Sequence, residues 1–251
     1  MKHKLYIVTG SSRGMGEAVA RQLLAPGHRV LGIARHASDR LAAAAPAGGL
    51  EQWRCDLADP LPVAERLQAW LAAQPAAEFE AAVLINNAGV ITPPGPVDGV
   101  PLAALSSALR VGLEATLLLS SAFLAATAGW GLPRRILNIS SGLGRRAMAG
   151  SAPYCAAKAG MDNLSRAMAL DEAQRPNGAR IVSLAPGVID TGMQDQLRAG
   201  DPARFPELER FAALKRDGLL DSPEAAAAKV LRYLARPDFG QTVLADVRDP
   251  A

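Results

Sequence analysis

Seven short apolar runs, at 4–9, 29–34, 50–54, 82–86, 134–140, 179–185 and near 242–245, recur along the chain with segments of helical periodicity between them. That alternation constrains the fold more than any other feature. Strands separated by helices of about ten or more residues are joined by right-handed crossovers, and crossovers of that kind build a parallel sheet covered on both faces. The expected architecture is α/β: a doubly wound, mostly parallel, seven-stranded sheet with helices on both faces. The 251 residues, about half of them apolar, suffice for one large core, and no repeat or low-complexity linker divides them. One domain over 1–251 is expected.

Several functional classes are disfavoured by composition. Cys55 and Cys155 make neither a disulfide framework nor a metal-ligand spacing, and the histidines are scattered at 3, 28 and 36. No metal site is expected, and a reducing, cytoplasmic setting is the simple inference. The start, Met1-Lys2-His3-Lys4, is basic, but the apolar run after it is too short for the core of a signal peptide and reads as a first strand. The uncharged stretch Ala115 to Leu132 approaches the length of a membrane span, yet it carries Thr116, Ser120, Ser121, Thr127, Gly129 and Gly131. It reads as a helix buried on two faces, with no membrane partner. The net charge of +3 is spread along the chain rather than gathered into a stripe, so no nucleic-acid partner is expected. An anionic cofactor would account for the mild basic excess, as would an Arg-rich composition inherited from genomic base bias.

The segment Thr9-Gly10-Ser11-Ser12-Arg13-Gly14-Met15-Gly16 sits directly after the first apolar run and before a helical pattern carrying Val19, Leu23 and Leu24. Gly10 lets the chain turn, while Gly14 and Gly16 let backbone and helix approach a pyrophosphate at the positive end of the helix. Further on, Thr191 to Leu220 interrupts the alternation with Met193, Leu197, Phe205, Leu208, Phe211 and Leu214 among charges. It follows the carboxyl end of a strand, where ligands bind in doubly wound sheets, and reads as a substrate lid at about 191–220.

Tyr154 and Lys158, one helical turn apart and preceded by Ser141, complete a constellation suited to hydride transfer. Reduction of a carbonyl needs a proton at oxygen, and a free tyrosine, with a pKa of about 10, is a poor acid near neutrality. A lysine one turn on places a positive charge that favours the phenolate, to which an oxidised nicotinamide would add. With the glycine turn, Asp56 after the third strand, Asn86-Asn87-Ala88-Gly89 after the fourth, and Pro186-Gly187 leading to Thr191, these motifs make the chain resemble the short-chain dehydrogenase/reductase family over essentially its full length. Asn138-Ile139-Ser140-Ser141-Gly142, Tyr154-Cys155, Ala185 to Thr191 and Phe211 to Lys215 look most like its sepiapterin reductase and benzil reductase branch, which reduces one carbonyl of dicarbonyl compounds.

The resemblance implies a Rossmann-type fold with Ser141, Tyr154 and Lys158 as catalytic residues. The family's spacing to the tyrosine selects Ser141 over Ser140, which strand alternation turns the other way. It implies a cofactor cleft formed by Gly10, Ser12, Arg13, Gly14, Met15, Gly16, Asp56 at the adenine, Asn86, Ala88, Gly89, Tyr154, Lys158 on the ribose, Pro186, Gly187, Val188 and Thr191. Gly142, Leu143, Met193 and Leu197 are expected to line the substrate pocket. Cys155 beside the tyrosine reads as a small packed thiol rather than a redox group.

At the end of the second strand an NAD enzyme usually carries an acid for the ribose hydroxyls, whereas Leu31-Gly32-Ile33-Ala34-Arg35-His36 offers Arg35 and no acid. With Arg13, this favours NADPH/NADP. One position departs from the family: the helix after Gly89 usually carries an asparagine whose backbone carbonyl holds a water of the proton relay, and Gly112 stands there. The expected function is an NADPH-dependent reductase of a small-molecule ketone, of the benzil type. A pterin reductase, a dehydrogenase working in the oxidising direction and an idle nucleotide sensor are the alternatives. A homodimer or homotetramer is expected, from the resemblance and from the two-sided apolar character of the helices at Ala115 to Ala128 and after Tyr154.

Overall fold

The computed structural model describes residues 3–249. Each apolar run forms a strand: β1 (His3–Thr9), β2 (Arg29–Ala34), β3 (Leu50–Arg54), β4 (Phe79–Asn86), β5 (Arg134–Ile139), β6 (Arg180–Ala185) and β7 (Leu244–Asp246). They lie in the order β3-β2-β1-β4-β5-β6-β7 with every neighbouring pair parallel. The order reverses between β1 and β4, so the carboxyl ends of these two strands open a crevice.

The period-2 alternation of the strands feeds two cores. Tyr6, Val8, Val83, Ile85, Leu137 and Ile139 pack on one face with α1 (Gly14–Leu24) and α9 (Pro223–Ala235). Leu5, Ile7, Ala82, Leu84 and Ile136 pack on the other with α3 (Pro60–Ala72), α5 (Ala115–Thr127) and Met168 of α6 (Ala152–Ala173). Two helices begin where a serine can accept a first-turn N–H: Ser38 from Leu41 at α2 (Asp39–Ala44), and Ser222 from Ala225 at α9.

The stretch read as buried on two faces behaves otherwise. α4 (Leu102–Leu109) and α5 form one rod joined by a π-helical segment at Arg110–Glu114. The rod is long and apolar enough to cross a membrane. Leu119, Ala122 and Phe123 are nevertheless packed into the sheet core, and only that side is covered, because α5 is the outermost layer of the chain. Leu117 on the other side is 45% exposed, and Leu102 of α4 is 82% exposed.

The segment read as a lid folds as α7 (Gly192–Arg198) and α8 (Leu208–Arg216). It brings a third core, in which Met148, Leu197, Phe205 and Phe211 are buried together and Cys155 packs at the edge.

Candidate active site

The crevice between β1 and β4 opens into a cavity of about 710 Å³. Its floor is knitted by Thr9, whose hydroxyl accepts from the backbone N–H groups of Asn87 and Ala88 at 2.9 Å each. Gly10 turns with φ +68° and donates its N–H to the Ile33 carbonyl at 2.8 Å. A Cβ on Gly16 would fall 2.2 Å from the Gly10 carbonyl oxygen, so no side chain fits there. Arg13, extended at the N-cap of α1, provides no side-chain cap, which leaves the first-turn N–H groups available to an anion.

Nearly all of the cofactor residues expected from the sequence line this cavity: Gly10, Ser12, Arg13, Gly14, Met15, Gly16, Arg35, Asp56, Ala88, Gly89, Tyr154, Lys158, Pro186, Gly187, Val188 and Thr191. Arg13 and Arg35 are exposed and neither pairs with a carboxylate among the described residues. The turn, the uncapped helix and the two guanidinium groups fit a dinucleotide that carries an extra phosphate.

Asn86 is the exception. It is 2% exposed beneath the cleft, where its amide donates to Ser120 Oγ at 3.1 Å and to Asn138 Oδ1 at 2.9 Å. Asn87 lines the cavity in its place, donating from its side chain to the Thr9 carbonyl at 2.9 Å. Successive residues at a strand end point to opposite faces, so only one of the two asparagines can reach the cleft.

Ser141 follows β5 and begins the short turn Gly142–Gly144, and its Oγ accepts from the Leu143 N–H at 3.2 Å. The first turn of α6 carries Tyr154, half-buried, and the next turn carries Lys158, 3% exposed. Burial pushes the Tyr154 phenol above its ordinary pKa, a hydrogen bond with Ser141 draws it back down, and Cys155 adds a smaller upward push. Burial pushes Lys158 down to about 8, opposed by the charge of Asp162. Lys158 Nζ lies 5.7 Å from the centre of the tyrosine ring and donates to the Ile139 carbonyl at 2.6 Å. The expected depression of the phenol is therefore not seen in the protein alone, because desolvation outweighs the hydrogen bond with Ser141.

Ser140 turns away as alternation requires, its hydroxyl donating to Asp162 Oδ1 at 2.6 Å. Cys155 is a half-buried thiol at the edge of the lid core, which fits the packing reading.

The cavity lining beyond Ser141 includes Gly142, Leu143, Met193 and Leu197, as expected, with Ile91, Met148, Phe211 and Leu214 beside them. Ile91 and Met148 lie in loops without periodicity, and no signal in the sequence marks them. The segment read as a lid is tied at its start and in its middle. Asp190 pairs with Lys215 and with Arg198 at 3.8 Å, and Arg204 donates to the Gly99 carbonyl at 3.1 Å.

Gly112 lies buried in the π-helical segment, where a Cβ would stand 2.9 Å from that of Ala157, the residue before Lys158. A larger residue, asparagine included, does not fit there without moving α6.

The chain belongs to the short chain dehydrogenase family, whose model matches residues 4–202. It is 33% identical to a benzil reductase ((S)-benzoin forming) of Bacillus cereus over 94% of this chain and 95% of the relative. It is 31% identical to the sepiapterin reductase of Meriones unguiculatus over 97% and 95%. Among solved structures, a metagenomic short-chain oxidoreductase in complex with NADP superposes with a TM-score of 0.68 at 28% identity, covering 97% of this chain and 94% of that one. The Rossmann-type fold of this family and the likeness to its sepiapterin reductase and benzil reductase branch, expected from the resemblance, are thereby shown.

Proposed function

We propose that the protein is an NADPH-dependent carbonyl reductase that converts one carbonyl of a vicinal diketone to an alcohol. The observation that carries this reading is the convergence of Ser141, Tyr154 and Lys158 on one cavity whose far end is apolar. The benzil reductase relative supports the substrate class, and the NADP-bound neighbour supports the cofactor.

In this reading the glycine turn and the amino end of α1 would hold the pyrophosphate, Arg13 and Arg35 would hold the 2′-phosphate, and Lys158 would hold the ribose. The cofactor supplies the hydride. Ser141 donates a hydrogen bond to the substrate oxygen, holding it against the phenol. Tyr154 gives its proton to that oxygen as negative charge develops there, and protonated Lys158 favours the phenolate left behind. The lid excludes water from the apolar end. A pterin with a dicarbonyl side chain is the second reading, favoured by the sepiapterin reductase relative. The cytoplasm is the proposed compartment, in keeping with two unpaired cysteines.

The test is NADPH oxidation by purified protein with benzil and with a small aliphatic diketone, with NADH run in parallel. Turnover of benzil with kcat/KM for NADPH at least about tenfold above that for NADH, equivalent to ~1.4 kcal/mol, is expected. Silence on both diketones in a protein that binds NADPH would overturn the reading.

A further inference from the structure

Behind the three candidate residues lies a carboxylate that the proposed reaction does not use. Asp162 sits one helical turn beyond Lys158 on α6 and is 3% exposed. Its Oδ1 accepts two hydrogen bonds of 2.6 Å, one from Ser140 Oγ at the end of β5 and one from Ser183 Oγ on β6. Its Oδ2 has no hydrogen-bond partner and faces Arg145 Nε at 3.5 Å, just past the turn that follows Ser141. That turn rests directly on the same spot, since a Cβ on Gly144 would lie 2.8 Å from Asp162 Oδ2 and 2.9 Å from the Lys158 carbonyl oxygen. A buried carboxylate with one oxygen left without a hydrogen bond is costly, and a core built for stability alone would do as well with an apolar residue there. What the arrangement supplies is alignment, because one group ties together the strand end before Ser141, the turn after it and the helix that carries Tyr154 and Lys158.

We infer that Asp162 is a positioning residue, which fixes Ser141 through Ser140 and keeps a negative charge one turn from the Lys158 ammonium. The inference rests on the proposed reductase reading for its catalytic consequence only. Lys158 is enclosed by Met161 and Asp162 on its own helix, by the Tyr154 ring, by the Ile139 carbonyl of β5, and by Gly89 on the loop after β4. Arg145 meets Asp162 from the turn. Asp162 is the anion acting on Lys158, and it raises a pKa that burial lowers to about 8. The two make no direct ion pair, so the effect acts through a poorly screened interior. Without that charge the lysine loses its proton at lower pH. The fraction able to favour a phenolate then falls earlier as pH rises.

The chain has only five lysines, so Lys158 can be followed directly by NMR of protein labelled with ¹³C at lysine Cε, its signal assigned by its loss in Lys158→Arg. In Asp162→Asn the titration midpoint of Lys158 is expected to fall by about one pH unit, the size typical of a lost neighbouring opposite charge. The alkaline limb of the pH–rate profile should move down with it. A midpoint equal to that of the wild type would overturn the charge role. Ser140→Ala leaves the charge in place and keeps the fold testable if Asp162→Asn does not fold. It is expected to lower kcat several-fold with KM for NADPH unchanged, and Ser140→Thr is expected to restore most of the loss. Unchanged kcat in Ser140→Ala would overturn the positioning role. The lysine titration needs no substrate, so its result stands apart from whether the proposed diketone is turned over.

Discussion

Tyr154 and its neighbours show how far single residues can be read from their types and spacing. The hydroxyl of Tyr154 is the one proton donor the proposed reaction needs, and Tyr154→Phe removes it while leaving the ring in place. The variant is expected to lose about 10²–10⁴-fold in kcat, the usual worth of a positioned acid, with NADPH affinity within about twofold by fluorescence titration. Turnover at the wild-type rate would sink the mechanism. The choice of Ser141 over Ser140 was legible because strand alternation and spacing agree, and Ser140 does point away, to Asp162. The same alternation separates Asn86 from Asn87, yet it does not say which of the two faces the cleft. That depends on where β4 ends relative to β1, which is set by the pairing of Ile7 with Leu84 and Val8 with Ile85. The environment of Lys158 was hidden for a similar reason. Its burial and its bond to the Ile139 carbonyl come from the packing of α6 on the sheet, and no run of residues announces them.

Elements carry the second set of consequences. The rod of α4 and α5 widens to a π-helix at Arg110–Glu114, and there Gly112 lets α6 approach within contact of the rod. Gly112→Ala gains about 1 kcal/mol of helix propensity. Overpacking against Ala157 costs about 1–3 kcal/mol and outweighs it. A net loss of about 1 kcal/mol should lower the Tm of a protein of this size by about 2–4 °C, measured by thermal unfolding; a rise in Tm would show that the two helices are free to part. The lid offers a second test. Phe205 is fully buried, stacks on Phe211 at 5.7 Å, and fills the space that Gly150 leaves, where a Cβ would come within 2.8 Å of its ring. Phe205→Ala forfeits about 3–5 kcal/mol of local packing. The expected outcome is faster proteolytic cutting within 199–207 and a KM for the diketone raised several-fold, with KM for NADPH changed less. Unaltered KM for the diketone would mean that the lid does not close on the substrate. Helical periodicity in Met193, Leu197, Leu208 and Phe211 made the helices of this segment readable, whereas its tie, Arg204 to the Gly99 carbonyl, joins segments about a hundred residues apart.

For the molecule as a whole, apolar side chains remain uncovered along one side of the rod: Leu102, Leu109 at 42% exposure and Leu117, with Leu170 of α6 at 71%. We propose that a second copy of the chain covers this side, as the two-sided apolar helices led us to expect. Sedimentation velocity should show a dimer or tetramer, and Leu117→Arg should shift it toward monomer; a wild-type monomer at micromolar concentration would refute the proposal. At this scale the amino-acid sequence by itself determined the class of fold and the existence of the nucleotide cleft. Period-2 apolar runs separated by helical segments admit few arrangements other than a covered parallel sheet, and the glycine turn is a local device whose strand, turn and helix are contiguous in the chain. Only the tertiary structure decided which asparagine faces the cleft, how deeply Lys158 is buried, that Asp162 stands behind Ser141, and that Gly112 is the contact point of two helices. These depend on strand register and on distances between segments remote in sequence, and they are set when both faces of the sheet are packed together.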